Sequence, residues 1–336
     1  MIKEAINLVI QNISLSEAEM AECMTEIMEG KATDAQIGAF LTALRIKGET
    51  IEEISGAARI MREKATKIAA PEGIIDTCGT GGDLSNTFNI STAAAIVVAA
   101  SGIPVAKHGN RSVSSRSGSA DLLEALGVKV ELPPDKVEKC LFETNFGFLF
   151  APLFHPSMKF AIGPRREISI RTIFNILGPI TNPANARRQL VGVFSSRLTE
   201  LLASVLGHLG AVDAMVVHGE DGMDEITTCG ATKVSRYRDK AVENFYIMPE
   251  DYGFKLADVT DLIGGDKKDN ASIIHSILDN VDSPKRDIVV LNAAAAIVVS
   301  GHTEDFGAAK DMAEESIRNG KAAKKLEEII KVTNSL

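Results

Sequence analysis

The chain has 336 residues, a hydrophobic fraction of 45%, a charged fraction of 24% and a formal net charge of −9. It is long enough for a large core and more than one domain, and its negative charge argues against non-specific nucleic-acid binding, which needs a basic footprint. The four cysteines, Cys23, Cys78, Cys140 and Cys229, include no C-x-x-C pair, so neither a disulfide framework nor a zinc site is suggested.

Lys3 and Glu4 interrupt the apolar start, and the runs at 93–100 and 293–299 are too short to span a bilayer. A cytoplasmic protein with reduced thiols is the expectation. Residues 1–70 read as helices. Ser16 with Glu19, Thr33 with Gln36 and Thr50 with Glu53 form capping boxes, and Gly30 and Gly48 sit where helices end. Ile37, Phe40, Leu41 and Leu44 recur at helical spacing, and Pro71 closes this small unit.

From Gly73 the pattern changes to short apolar strands alternating with helices. Strands are expected at Ile74–Thr77, Ile103–Ala106, Val128–Glu131, Phe148–Phe150, Leu190–Phe194 and Ala214–Val217. Helices are expected at Ile90–Ala100, Ala120–Leu126, Pro134–Thr144 and Leu198–Leu209. This alternation predicts an α/β domain with a mostly parallel central sheet flanked by helices. Pro164–Thr172 is helical in pattern but interrupts the alternation, as a segment returning to the N-terminal helices would. The expected division is a small α-helical domain, 1–70 joined by about 164–184, and an α/β domain, 71–336. Tyr237–Asp266 is mixed, and the remainder is mostly helical, including Pro284–Val299 and Phe306–Ile330.

Ligands in such sheets bind at the carboxyl ends of strands, and four segments there carry chemistry. In Asp76-Thr77-Cys78-Gly79-Thr80-Gly81-Gly82-Asp83 the glycines let backbone N–H groups approach an anion, with the helix N-terminus at Asn89-Ile90-Ser91-Thr92 beyond them. Neither the Walker pattern nor G-x-G-x-x-G spacing is present, and a glycine cluster alone also fits a structural turn. Lys107-His108-Gly109-Asn110-Arg111-Ser112-Val113-Ser114-Ser115, with Ser119, suits phosphate or pyrophosphate, or else is a serine-rich loop. His108 is a possible general base, although its cationic neighbours would lower its proton affinity. Arg165 and Arg166 form either a solvated helix face or a carboxylate binder. Asp224-Glu225 is either a surface turn or a Mg2+ dyad. Together they fit displacement of pyrophosphate from an activated ribose better than hydride transfer or hydrolysis.

Gly79-Thr80-Gly81-Gly82-Asp83, Asn89-Ile90-Ser91-Thr92, Lys107-His108-Gly109-Asn110-Arg111, the Asn175, Leu177-Gly178-Pro179 and Asn182-Pro183 motif, and Asp224-Glu225 strongly resemble the anthranilate phosphoribosyltransferase family in order and spacing over nearly the whole chain. The resemblance implies transfer of the phosphoribosyl group of 5-phosphoribosyl 1-diphosphate (PRPP) to the amine of anthranilate, in tryptophan biosynthesis, with Mg2+. It also implies a homodimer joined through the helical domains. It assigns PRPP contacts to Gly79, Gly82, Asp83, Thr87, Asn89, Ile90, Ser91, Thr92, Lys107 through Ser115, and Ser119. Gly79, Asn110 and Arg165 would line the anthranilate site, and Ser91, Asp224 and Glu225 would hold the metal. No general base is assured, with His108 the possible one. The alternatives are a pyrimidine nucleoside phosphorylase-like enzyme, less similar in the Lys107 loop, and a non-catalytic nucleic-acid-binding paralogue. The negative charge and intact acidic dyad disfavour the paralogue.

Overall fold

The computed structural model describes residues 1–112 and 117–336. Four helices open the chain: α1 (Ile2–Val9), α2 (Glu17–Met28), α3 (Asp34–Lys47) and α4 (Ile51–Lys64). All three capping boxes form, each side-chain oxygen accepting from the third residue's N–H while that residue's side chain accepts from the cap. Glu53 does more than cap. Its carboxylate is fully buried, accepts from the N–H groups of Leu15 and Thr50 at 2.9 Å each, and pairs with Lys47 at 2.8 Å. It thereby ties the α1–α2 and α3–α4 connections together, with its charge compensated as burial demands.

The sheet domain follows as β1 (Ile75–Asp76), α5 (Ile90–Ala100), β2 (Val105–Gly109), α6 (Ser119–Ala125), α7 (Pro134–Thr144) and β3 (Phe146–Phe150). Short α8 (Ala151–Phe154), α9 (Lys159–Ile168) and α10 (Phe174–Leu177) come next. Then come β4 (Arg188–Gly192), α11 (Leu198–His208), β5 (Asp213–Gly219), β6 (Thr232–Arg238) and β7 (Ala241–Ile247). The chain finishes with α12 (Lys267–Leu278), α13 (Pro284–Ser300), α14 (Phe306–Arg318) and α15 (Lys321–Ser335).

The seven-stranded sheet has the order β3-β2-β1-β4-β5-β6-β7, parallel from β3 through β5 and antiparallel at β6 and β7. Both faces of its parallel part are buried, as crossover helices require. Along β5, Met215 and Val217 join the core under α5 and α13, whereas Ala214 and Val216 join that of the N-terminal helices and α11. The alanine-rich α5 and α13 pack directly on one another. In this structure α9 packs on α2 and α3, and Ala161, Phe174 and Leu177 share the apolar cluster of Met24 and Phe40. No helix among the described residues is long and apolar enough to cross a membrane.

Three expected elements differ. Val128–Glu131 is not a strand; Val128 and Val130 are buried as an extended connection, and the Lys129 N–H donates to Thr333 of α15 at 3.3 Å. Alternate burial of two valines arises whether the partner is a sheet or a helix. The final helix expected over Phe306–Ile330 is two helices, broken where Gly320 takes φ 74°. The helix at Pro164–Thr172 starts earlier and stops at Ile168, because Ser169 turns left-handed at φ 50°.

Candidate active site

The glycine loop leaves β1 beside β4 and is fastened at several points. The Thr80 N–H donates to the Gly192 carbonyl at 2.9 Å, and the Phe194 N–H donates to Thr80 Oγ1 at 3.1 Å. The Gly81 N–H donates to Asp224 Oδ2 at 2.6 Å. A Cβ at Gly79 would lie 2.7 Å from Asp224 Oδ2, so a side chain there would displace that carboxylate. Gly192 is more constrained still: its Cβ would fall 1.6 Å from the Asp224 carbonyl oxygen. Gly192 escaped the sequence reading because it sits within a strand pattern, far from any motif.

The acidic dyad follows β5. Asp224 is nearly buried, and its N–H donates to Asp83 Oδ2 at 3.4 Å. Glu225 Oε1 accepts from the Ser91 N–H at 3.2 Å, which places a carboxylate at the N-terminus of α5, where the helix dipole favours it. Asn292 of α13, fully buried, grips the next residue by both backbone groups. Its Oδ1 accepts from the Ile226 N–H at 3.0 Å and its Nδ2 donates to the Ile226 carbonyl at 2.8 Å. Burial pushes both dyad carboxyls up from their ordinary range; the charge of Asp83 adds to this at Asp224, and the charges of Asp224 and Asp83 add to it at Glu225. Such groups call for a cation.

A protein cation beside the dyad is Lys107, buried on β2, whose Nζ donates to the Thr77 carbonyl at 2.8 Å and to Ser91 Oγ at 3.4 Å. No three His, Cys, Asp or Glu side chains converge as a closed metal site among the described residues. The two dyad carboxylates and the Ser91 hydroxyl nonetheless fit Mg2+, which keeps several waters and substrate phosphate oxygens as ligands.

His108 lies behind the loop. Its N–H donates to Asp76 Oδ1 at 3.1 Å, and its Nδ1 donates to the Gly178 carbonyl at 3.0 Å, since a carbonyl can only accept. The lone pair therefore sits on Nε2, which is buried without a partner. The ring centroid is 5.1 Å from that of His155. Burial, first, and then the neighbouring His155 and Lys107 push its pKa down to about 3. The charge of Lys107 thus contributes as expected, but desolvation dominates.

Asp76 is fully buried, and burial raises its carboxyl to about 6. Its other oxygen accepts from Asn182 Nδ2 at 2.7 Å, and that amide also donates to the Ala106 carbonyl at 2.8 Å. The asparagine of the Asn182-Pro183 motif therefore laces β1 to β2 immediately behind Lys107 and His108.

The remaining expected residues fall around this centre. Asn89 Nδ2 donates to the Ser117 carbonyl at 3.1 Å, Thr87 bridges to Ile263, and Thr92 is buried with Oγ1 unpartnered. The Ile90 side chain is core. The Asn110 carbonyl accepts from Ser119 Oγ at 3.2 Å, and Gly109 admits no Cβ, which would meet that Oγ at 2.2 Å. Arg111 is drawn into its own segment, forked onto Glu124 at 2.7 Å twice and bonded to Glu131 at 2.8 Å. Ser112 N–H donates to Asp121 at 3.0 Å, whereas Val113, Ser114 and Ser115 lie outside the described residues.

Arg165 lies half-buried in the last turn of α9, its guanidinium 5.1 Å from the Phe174 ring centroid, and it has no ion pair with any described residue. Burial without a counter-charge lowers its pKa from the ordinary value. Six positions on, Arg171 donates to the Gly82 carbonyl, so the segment carrying Arg165 reaches the glycine loop.

Residues 71–323 match the model of a glycosyl transferase family α/β domain, and residues 3–65 that of a glycosyl transferase family helical bundle domain. An anthranilate phosphoribosyltransferase of Acetivibrio thermocellus is 57% identical over 100% of this chain and 97% of its own. That of Moorella thermoacetica is 54% identical over 98% of each chain. The crystal structure of the Thermus thermophilus enzyme superposes with a TM-score of 0.93 at 39% identity, covering 98% of this chain and 99% of that one. The Saccharomyces cerevisiae enzyme in complex with PRPP and Mg gives a TM-score of 0.90 at 28% identity, covering 100% and 98%. The chain belongs to the anthranilate phosphoribosyltransferase family.

Proposed function

We infer that the chain transfers the 5-phosphoribosyl group of PRPP to the amine of anthranilate, giving N-(5-phosphoribosyl)anthranilate and pyrophosphate in tryptophan biosynthesis. The observation that carries the site assignment is the contact of the buried Asp224 with the glycine loop at Gly79 and Gly81, beside Glu225 and Lys107.

In this reading the donor lies against the glycine loop and the N-terminus of α5, with Asn89, Thr92 and the Lys107 loop as further contacts. Asp224, Glu225 and Ser91 would hold Mg2+, directly or through water. Mg2+ would neutralise charge on the departing pyrophosphate. Lys107 supplies a fixed positive charge to the same region, already oriented by Thr77 and Ser91, so little reorganisation accompanies bond cleavage. Arg165 holds the anthranilate carboxylate and Phe174 steadies the guanidinium, while Gly79 and Asn110 complete the acceptor site. The contribution is chiefly positional: the aryl amine is held at C1 as oxocarbenium character builds. An aryl amine attacks without prior deprotonation, and His108, with a pKa near 3, is a poor proton acceptor.

The division into a helical unit, 1–70 with about 164–184, and an α/β unit, 71–336, belongs to the same reading, as do a homodimer through the helical units and a cytoplasmic setting. The four free cysteines suit that setting. The test is an assay with anthranilate, PRPP and Mg2+ that follows loss of anthranilate fluorescence. A folded sample without turnover overturns the reading.

A further inference from the structure

The contact between Arg171 and Gly82 has no part in the reading above, yet it is built from several independent pieces. Arg171 lies in the connection between α9 and α10 and forms no ion pair with any described residue. Its guanidinium instead donates to the Gly82 carbonyl, and the guanidinium carbon lies over the Phe194 ring, 4.3 Å from its centroid. Phe194 is itself fixed to the loop, since its N–H donates to Thr80 Oγ1 at 3.1 Å, and the Thr80 N–H is fixed to Gly192 at 2.9 Å. The loop, Arg171, Phe194 and the end of β4 thus form a closed circuit.

A peptide unit is planar and trans, so its C=O and N–H point in opposite directions. Holding the Gly82 carbonyl therefore also fixes the direction of the Asp83 N–H on the other edge of the plane. Gly82 takes φ 73°, open to it because glycine lacks a Cβ, and the same freedom lets the plane turn unless something holds it.

We propose that Arg171 is a positioning residue for the donor substrate: it holds the Gly82–Asp83 peptide plane with its N–H turned toward PRPP. Through the short connection to α9 it also links the order of this loop to the segment that carries Arg165. The proposal rests on the assignment of the glycine loop to PRPP.

Two measurements on Arg171→Ala, Arg171→Lys, Phe194→Ala and the Arg171→Ala/Phe194→Ala double variant test it. In ligand-free protein, hydrogen exchange over 79–88 should quicken in Arg171→Ala by about tenfold, the scale of one charge-assisted hydrogen bond. In turnover, the KM for PRPP should rise by about tenfold or more while that for anthranilate changes less than about threefold. Arg171→Lys keeps a donor and should recover part of the PRPP effect. Phe194→Ala should act in the same direction, and the double variant should be no worse than Arg171→Ala, because both act through one contact. Unchanged exchange in Arg171→Ala, equal rises in both KM values, or fully additive effects overturn the role. Wild-type turnover is the control: without it the donor assignment falls, whereas normal wild-type turnover with unaltered Arg171→Ala exchange removes Arg171 alone.

Discussion

Asp224 Oδ2 accepts the Gly81 N–H at 2.6 Å, so a carboxylate from the loop after β5 occupies the anion-binding backbone of the loop after β1. The contact uses the loop's affinity for negative charge to join two strands' ends, and it brings Asp224 beside Asp83 and Glu225. The carboxylates repel each other there, and burial raises both dyad pKa values. Stability and the proposed metal role are therefore opposed at this position. Asp224→Asn keeps an acceptor for Gly81 and removes a buried charge, so the variant should unfold at the same temperature as the wild type or higher. Its Mg2+-dependent turnover should fall by about a hundredfold or more. Near-normal turnover in the purified variant would take Asp224 out of the metal site.

Gly192 and Gly79 both face Asp224, and they should respond differently to alanine. At Gly192 the new methyl meets backbone, the Asp224 carbonyl oxygen, which cannot move without displacing the loop. Gly192→Ala should lose about 1–3 kcal/mol of stability, as overpacked sites do, together with activity. At Gly79 the obstacle is the Asp224 side chain, which can rotate. Gly79→Ala should keep most of its stability and lose turnover. Urea unfolding alongside initial rates separates the two, and equal stability losses would show that the side chain at Asp224 is as rigid as the backbone.

Arg165 has no acidic partner among the described residues, so its removal should cost only what it does for a ligand. Arg165→Ala should raise the anthranilate KM by about ten- to a hundredfold, the scale of a charge-assisted contact, and move the PRPP KM by less than about threefold. Arg165→Lys should recover only part, because an ammonium cannot form the bidentate pair. Equal damage to both constants would remove its carboxylate role.

The parts of this structure that were readable in the sequence are those whose partners are local. Ser16, Thr33 and Thr50 cap helices through residues three positions away, and the glycine loop announces itself by composition. Arg165 and Asp224-Glu225 stood out by residue chemistry, but each kept an ordinary surface alternative until motif order pointed to a family. Asn292, Gly192 and Arg171 were not readable, because each meets a residue far away in sequence: Ile226, Asp224 and Gly82. A lone asparagine in an alanine-rich helix or a glycine ending a strand has no periodicity to betray it. Val128–Glu131 misled for the opposite reason, since its alternation is real but is satisfied by packing rather than by a strand partner.

His108 and His155 are buried neutral, with pKa values pushed down by burial to about 3 and about 4 from an ordinary 6.5. Between those values and 6.5 the unfolded chain binds protons that the folded chain refuses, so stability rises with pH over that window. The contribution is fully present above pH 7 and is lost as the pH falls below about 6.5, each histidine adding a slope of about 1.4 kcal/mol per pH unit once the unfolded form is protonated. Lys107, Asp76 and His155 all lie near His108, and Asp76, raised to about 6, titrates with the opposite sign. The comparison that isolates His108 is therefore the wild type against His108→Asn, by urea unfolding at pH 5 and pH 7.5. The variant should lose about 1–2 kcal/mol less than the wild type between those two values. Its turnover at pH 7.5 should remain within about tenfold of the wild type, since loss of a true general base removes about 10²–10⁴. A larger drop with both substrates still bound would make His108 a base despite its burial, and an unchanged acid sensitivity would mean that it is already solvated in the folded state.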